Sequence, residues 1–164
     1  MLEFFGLGSQ VLLALDFEQT YWRVFLSEAK LFPGLEKFLE ELRLLQVPMA
    51  IVTDLTAQIQ FRKMVYFELD HYFDYIVTSE EAGYDKPHRL PFEISLKKMN
   101  LHKKQNIWFI GDNPKNDIEG AKKHTNATTL QKMHKGVTRA TGLYQADLEF
   151  TEYTDLIKLI NQIK

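Results

Sequence analysis

The stretch LLALDFEQTYW, residues 12–22, admits two readings that lead to different architectures. In one, LLAL is a buried strand and Asp16 a carboxylate nucleophile at its carboxyl end. In the other, the stretch is helical and Asp16 is one charge on the wet face. Asp16, Gln19, Thr20, Arg23, Ser27 and Lys30 fall on a single polar stripe at helical spacing, with Leu13, Phe17, Tyr21 and Val24 as an apolar stripe beside it. Trp22 and Phe25, at helical spacing too, read with Tyr21 as core. No Gly or Pro interrupts the chain from Ser9 to Phe32, whereas a strand turning into a loop at Asp16 needs such punctuation, and Ser9 suits an N-cap.

The remainder of the chain alternates short apolar runs with amphipathic segments. Pro33 and Gly34 introduce LEKFLEELRLLQ, whose Leu35, Phe38, Leu39 and Leu42 share a helical face. MAIVTD, YFDYIVTS, NIWFIGD, NATTLQ and ADLEF read as strands. AQIQFRKMVYFEL, PFEISLKKMN, KNDIEGAKKH and YTDLIKLINQIK read as the helices among and after them. This order predicts an α/β fold, a Rossmann-like parallel sheet with helices on both faces, preceded by an N-terminal helix. Ligands of such sheets bind at the carboxyl ends of the strands.

Composition narrows the classes. With 164 residues, 45% hydrophobic and 26% charged, the chain is long enough for one buried core. A net charge of −2 from 20 basic and 22 acidic residues supplies no broad field for nucleic acid or an anionic membrane. The absence of cysteine excludes disulfides, thiolate metal sites and a cysteine nucleophile. The apolar runs are too short to span a bilayer and MLEFFGLGSQ lacks the features of a signal peptide, so a cytoplasmic location is expected. GLGS, residues 6–9, is too short for a nucleotide loop, and no internal repeat is visible.

The chemistry gathers at two strand ends and one loop. IVTD delivers Thr53 and Asp54 where a strand becomes a helix, a place suited either to a phosphate oxygen or to capping the next helix. GDNPKND places Asp112 just after a buried strand and Asp117 five residues later, with Asn113 and Asn116 as further oxygen donors. Such hard oxygens suit magnesium, while a turn residue and a first-turn acid are the plainer alternatives. Between them Lys86, fixed before Pro87, offers a compact positive charge to a phosphate, or is a loop lysine. His71, His88, His102, His124 and His134 lack metal-ligand spacing, and surface or loop roles are expected.

IVTD, DKP and GDNPKND, in this order, resemble the second, third and fourth motifs of the haloacid dehalogenase superfamily, over residues 31–164. TDLTAQIQFRK and VTSEEAGYDKP are most similar to its capped phosphatase branch. The resemblance implies a phosphohydrolase acting on a small phosphorylated metabolite through an aspartyl-phosphate, with Mg2+ as cofactor. Thr53, with Asp54, would bind the phosphoryl group, Lys86 would neutralise charge, Asp112 would hold the metal and Asp117 would support it. The family's nucleophile is the first Asp of a D-x-D-x-T/V motif ending the central first strand. DFEQT offers Asp16 for that role, with Glu18 as acid/base and Thr20 closing the motif, but Glu18 and Gln19 stand where Asp and usually Gly are preferred. YWRVFLSEAKLFPG resembles instead the last helix of a cap. Residues 1–30 are then a cap remnant, or else first strand and loop, ahead of a core over 31–164. On the helix reading the chain has no nucleophile, and the loss of the family's first strand, which lies between the second and fourth, leaves a gap that an unseen partner segment fills, or the sheet repacks, or the chain self-associates through open edges. A non-catalytic member that only binds a ligand or partner is the alternative function. A receiver-like phospho-acceptor domain fits the motif order badly.

Overall fold

The computed structural model describes residues 4, 6, 10–101 and 106–163, and the chain divides into two compact units, Met1–Leu31 and Phe32–Lys164. Ser9 and His102 lie outside the described residues.

The first unit is built on α1 (Val11–Glu28), which begins at Gln10 without a side-chain cap. The helical reading of the opening stretch is therefore the one the structure adopts: Asp16 is exposed inside an 18-residue helix and does not end a strand. The expected core placement of Tyr21 and Phe25 is corrected. Phe17, Tyr21 and Val24 are each more than half exposed, Phe25 is 41% exposed, and the less accessible line runs through Glu18, Trp22 and Leu26. A single helix can turn only one stripe away from water, and this one is apolar on more of its circumference than that. Tyr21, Trp22 and Phe25 shield one another in part, with ring centroids 5.1–6.0 Å apart.

The second unit runs α2 (Leu35–Leu44), β1 (Ala50–Thr53), α3 (Ala57–Tyr66), β2 (Tyr75–Thr78), the single turn α4 (Ser79–Ala82), α5 (Arg89–Lys98), β3 (Trp108–Gly111), α6 (Gly120–His124), β4 (Thr128–Lys132), β5 (Leu148–Phe150) and α7 (Tyr153–Ile163). Every strand expected in this unit is present, and all pairings are parallel. KNDIEGAKKH departs from one α-helix: a wide π turn over Pro114–Glu119 precedes α6, with the Ile118 amide donating to Asn113 O five residues back.

The strands form two pieces. β1 pairs with β2, Ala50 opposite Tyr75 through Thr53 opposite Thr78, while β3, β4 and β5 pair in that order. Both pieces lie between the same helical layers. On one face, Phe38 and Leu39 of α2 and Leu156, Ile157 and Ile160 of α7 pack with Met49 just before β1 and with Leu130 and Phe150 of β4 and β5. On the other, α5 packs on β1 and β2, and its fully buried Phe92 meets Phe109 of β3 at 5.3 Å. The outer side of β2 carries a positive charge: Lys98 Nζ donates to Ile76 O at 2.9 Å and to Glu81 at 2.7 Å.

At the far end of the second piece, Asp147 ties β4 to the loop before β5. It accepts from the Thr129 amide and hydroxyl at 2.8 and 2.7 Å and from Lys122 at 2.6 Å. Burial pushes this carboxyl up, but the Lys122 and Thr129 bonds together outweigh it and hold it down at about 2, against an ordinary 3.8. A depressed carboxyl stabilises the fold above its unfolded value, and the gain is lost as pH falls from there through the folded value. Acid unfolding followed by circular dichroism should therefore show a stability loss between about pH 4 and pH 2 that Asp147→Asn reduces. An unchanged acid profile in the variant would mean that other carboxylates govern this range.

Candidate functional site

Thr53 and Asp54 leave β1 on the same side of the unit as Gly111 and Asp112 leave β3. Neither Thr53 nor Asp54 caps α3. The cap position is Thr56, and the Ala57 amide is taken by Glu80 Oε2 at 2.9 Å. Thr53 Oγ1 accepts a long bond from the Leu55 amide at 3.3 Å, which leaves its hydroxyl proton to be donated. Asp54 instead joins the two strand ends: its Oδ1 accepts from the Lys86 amide at 2.8 Å and its Oδ2 from Asn116 Nδ2 at 3.1 Å.

Lys86 stands at the centre of this arrangement. Its side chain is 10% exposed, and Nζ donates to Val52 O at 2.9 Å and to Asp117 Oδ1 at 2.6 Å. The second Asp117 oxygen accepts from the Asn113 amide at 3.0 Å. Both carboxylate oxygens of Asp117 thus have protein donors, so its geometry suits holding Lys86 more than taking a metal directly. Gly111 makes this possible, because a Cβ there would stand 2.4 Å from Asp117 Cβ. Asn113 caps the π turn, its Oδ1 accepting from the amides of Lys115 and Asn116 at 3.0 and 2.9 Å.

Asp112 is different. Its side chain is 52% exposed, and Oδ2 meets His134 Nε2 at 3.0 Å, while Oδ1 has no protein partner among the described residues. Gln131, fully buried, sets this up: its Nε2 donates to Asp112 O at 3.1 Å and to Thr138 O at 2.8 Å, and its Oε1 accepts from the Ala140 amide. It thereby fixes both the turn after β3 and the loop that carries His134. Tyr153, which lies near Asp112, is pushed up to about 12 by burial and then by that carboxylate, so its phenol stays protonated at neutral pH.

The donor set fits a magnesium ion. Asp54, Asp112 and Asp117 gather with Lys86 at this mouth, Lys86 Nζ pairing with Asp117, and the Asp112 oxygen without a partner among the described residues is the hard, solvent-facing ligand that magnesium takes alongside several waters. Among the described residues no cluster of three His, Cys, Asp or Glu forms a closed metal cage. Asp16 lies in the first unit, exposed on α1. The sequence did not single out Asn116 as the link to Asp54, nor His134 as the partner of Asp112. His88, by contrast, is occupied locally, capping α5 at Leu90 and stacking on Tyr84 at 3.9 Å.

A Thr-Asp pair, a lysine and a Gly-Asp turn converging on the carboxyl ends of two parallel strands fit the family whose model matches residues 9–130: the chain belongs to the haloacid dehalogenase-like hydrolases. Among its relatives are a ribulose-1,5-bisphosphate 5-phosphatase of Halopiger xanaduensis, 36% identical over 66% of this chain and 45% of that one. Another is a glyceraldehyde 3-phosphate phosphatase of Methanocaldococcus jannaschii, 31% identical over 83% of this chain and 55% of that one. The chain spans about half the length of the curated relatives it matches. A phosphatase of the same superfamily from Thermococcus onnurineus shares the fold, with a TM-score of 0.77 and 21% identity over 97% of this chain and 68% of that one.

Proposed function

We propose that this chain carries the phosphoryl- and metal-binding side of a magnesium-dependent phosphohydrolase site for a small phosphorylated metabolite, and that residues 1–164 alone bind the phosphoryl group without forming an aspartyl-phosphate. The observation that carries this reading is the split between the candidate residues: Thr53, Lys86, Asp112 and Asp117 share one mouth, whereas Asp16 is exposed on a helix. The names of the relatives, phosphatases of sugar and triose phosphates, support the substrate class. Magnesium supplies charge neutralisation for phosphate oxygens. Asp112 would hold it, and Asp117 keeps Lys86 aimed. Lys86 adds a positive charge and Thr53 a hydroxyl donor. We assign α1, within residues 1–30, to the cap side of the protein, and residues 31–164 to the core. A cytoplasmic location suits a chain without cysteine, and no described helix is long and apolar enough to cross a membrane.

Two measurements on the purified chain test this. Equilibrium dialysis should show phosphate bound only with magnesium, because without it the three carboxylates at the mouth outnumber Lys86. Hydrolysis of an aryl phosphate should stay at the buffer rate for both the chain and Asp16→Asn. Magnesium-dependent turnover lost in a folded Asp16→Asn protein would instead make Asp16 the nucleophile and sink the proposal.

A further inference from the structure

Asp112 and His134 leave neighbouring strands. β3 and β4 run parallel with Gly111 opposite Gln131, so the residues just past their carboxyl ends come out side by side. Asp112 follows β3 directly, and His134 stands two positions beyond β4. Three bonds hold their backbones. The fully buried Gln131 side chain donates to Asp112 O at 3.1 Å, the Met133 amide donates to Phe150 O at 2.8 Å, and the Val137 amide closes a turn on His134 O at 3.1 Å. The His134 ring lies against Phe32, with centroids 5.1 Å apart. Both the imidazole and the Asp112 carboxylate are open to water.

The ring is set between two acceptors. Nδ1 stands 3.2 Å from Lys135 O, and Nε2 stands 3.0 Å from Asp112 Oδ2. A carbonyl and a carboxylate oxygen both accept, while a neutral imidazole has a single N–H to give. With that N–H on Nδ1 and donated to Lys135 O, Nε2 turns a lone pair toward Oδ2, and two lone pairs at 3.0 Å repel unless a cation lies between them. A histidine that ligates a metal is prepared in this way: one ring nitrogen donates to a backbone carbonyl, which fixes the ring and leaves the other nitrogen as the ligand. The separation agrees, because two adjacent ligands about 2.1 Å from an octahedral ion stand about 3.0 Å apart.

We infer that His134 Nε2 and Asp112 Oδ2 form a chelating pair for a divalent transition metal of the cobalt, nickel or zinc kind, with water completing its shell. Imidazole suits these ions, whereas magnesium takes hard oxygen ligands and gains little from it. Two dications on one carboxylate repel, so the transition metal competes with magnesium for Asp112. The spacing of the histidines from one another does not reveal the pair, since the partner of His134 is a carboxylate 22 positions away. The inference goes beyond the phosphatase reading and does not rest on it, because its test uses neither phosphate nor turnover.

The test is titration of the full chain with cobalt(II), and separately with magnesium, at about pH 8, where ordinary imidazoles are neutral. Binding is read by calorimetry and by proton NMR. Cobalt should bring out one exchangeable imidazole proton far outside the ordinary spectral range, the Nδ1–H of a ring that ligates through Nε2. His134→Gln keeps a donor for Asp112 Oδ2 but has no imidazole lone pair. It should lose that resonance and bind cobalt about tenfold or more weakly, at least the cost of removing an outer partner from a metal site. Its magnesium affinity should be unchanged. Asp112→Asn should weaken both ions, and excess magnesium should weaken cobalt binding to the unaltered chain. Both substitutions fall on side chains that water reaches, and circular dichroism checks that the variants fold. Cobalt bound no better by the unaltered chain than by His134→Gln would mean that the ring is not a ligand and that only a proton lies between it and Asp112. An equal loss of cobalt and magnesium affinity in His134→Gln would make His134 a support for the carboxylate alone. Cobalt binding indifferent to Asp112→Asn or to magnesium would give His134 another partner. Any of these three results overturns the inference.

Discussion

Lys86→Met should lower stability by about 3–5 kcal/mol, the usual cost of leaving one member of a buried ion pair alone, and should abolish phosphate binding. Lys86 and Asp117 are 10% and 9% exposed, so water cannot replace the missing ammonium at Asp117 Oδ1 or at Val52 O. The Asn113 amide stays on the other Asp117 oxygen and compensates only in part. Because the loss comes from the uncompensated carboxylate, the double variant Lys86→Met with Asp117→Asn should be more stable than Lys86→Met alone. Urea unfolding of the four proteins measures this coupling. A double variant whose loss is the sum of the two single losses would show that the pair acts independently and that the 2.6 Å contact is not what holds the mouth together.

Gly111→Ala should produce the second large effect through volume instead of charge. The added methyl would lie 2.4 Å from Asp117 Cβ and 2.5 Å from its Cγ and Oδ2. Asp117 has little room to retreat, being fastened by Lys86 on one oxygen and Asn113 on the other. Overpacking of this kind costs about 1–3 kcal/mol, and any relief swings Asp117 away from Lys86. Stability and magnesium-dependent phosphate affinity should therefore fall together. A variant that folds with normal stability and binds phosphate normally would show that the loop after β3 yields easily, and that the close approach of Gly111 to Asp117 has no functional weight.

The fold was legible where local pattern carries it. Apolar runs such as AIVT and WFIG, each ending in polar residues, marked β1 and β3, and the stripe from Asp16 to Lys30 marked α1 as a helix in spite of a nucleophile-like spacing. The wide turn at Pro114–Glu119 was not legible, because its register comes from Asn113 capping two amides and from Gly120 packing under Phe92, where a Cβ would stand 2.5 Å from the ring. Nor was the exposed side of α1, since periodicity locates stripes but does not say which of two apolar ones is shielded. The site followed the same division. Short motifs pointed to Thr53, Lys86, Asp112 and Asp117, but the division of labour among the carboxylates depends on contacts between residues far apart in sequence. Lys86 reaches Asp117 across 31 positions and Asn116 reaches Asp54 across 62, and no local spacing encodes either.

Lys98 on the Ile76 carbonyl has a consequence for the behaviour of concentrated samples. Fibrils grow when a bare sheet border templates the next chain, and a charged amine seated on a border carbonyl must be stripped away and rehydrated before that can begin. The β2 border is therefore a poor seed. Cross-β growth, if provoked by heat or agitation, should start elsewhere, and replacing Lys98 with an uncharged residue should shorten its lag time.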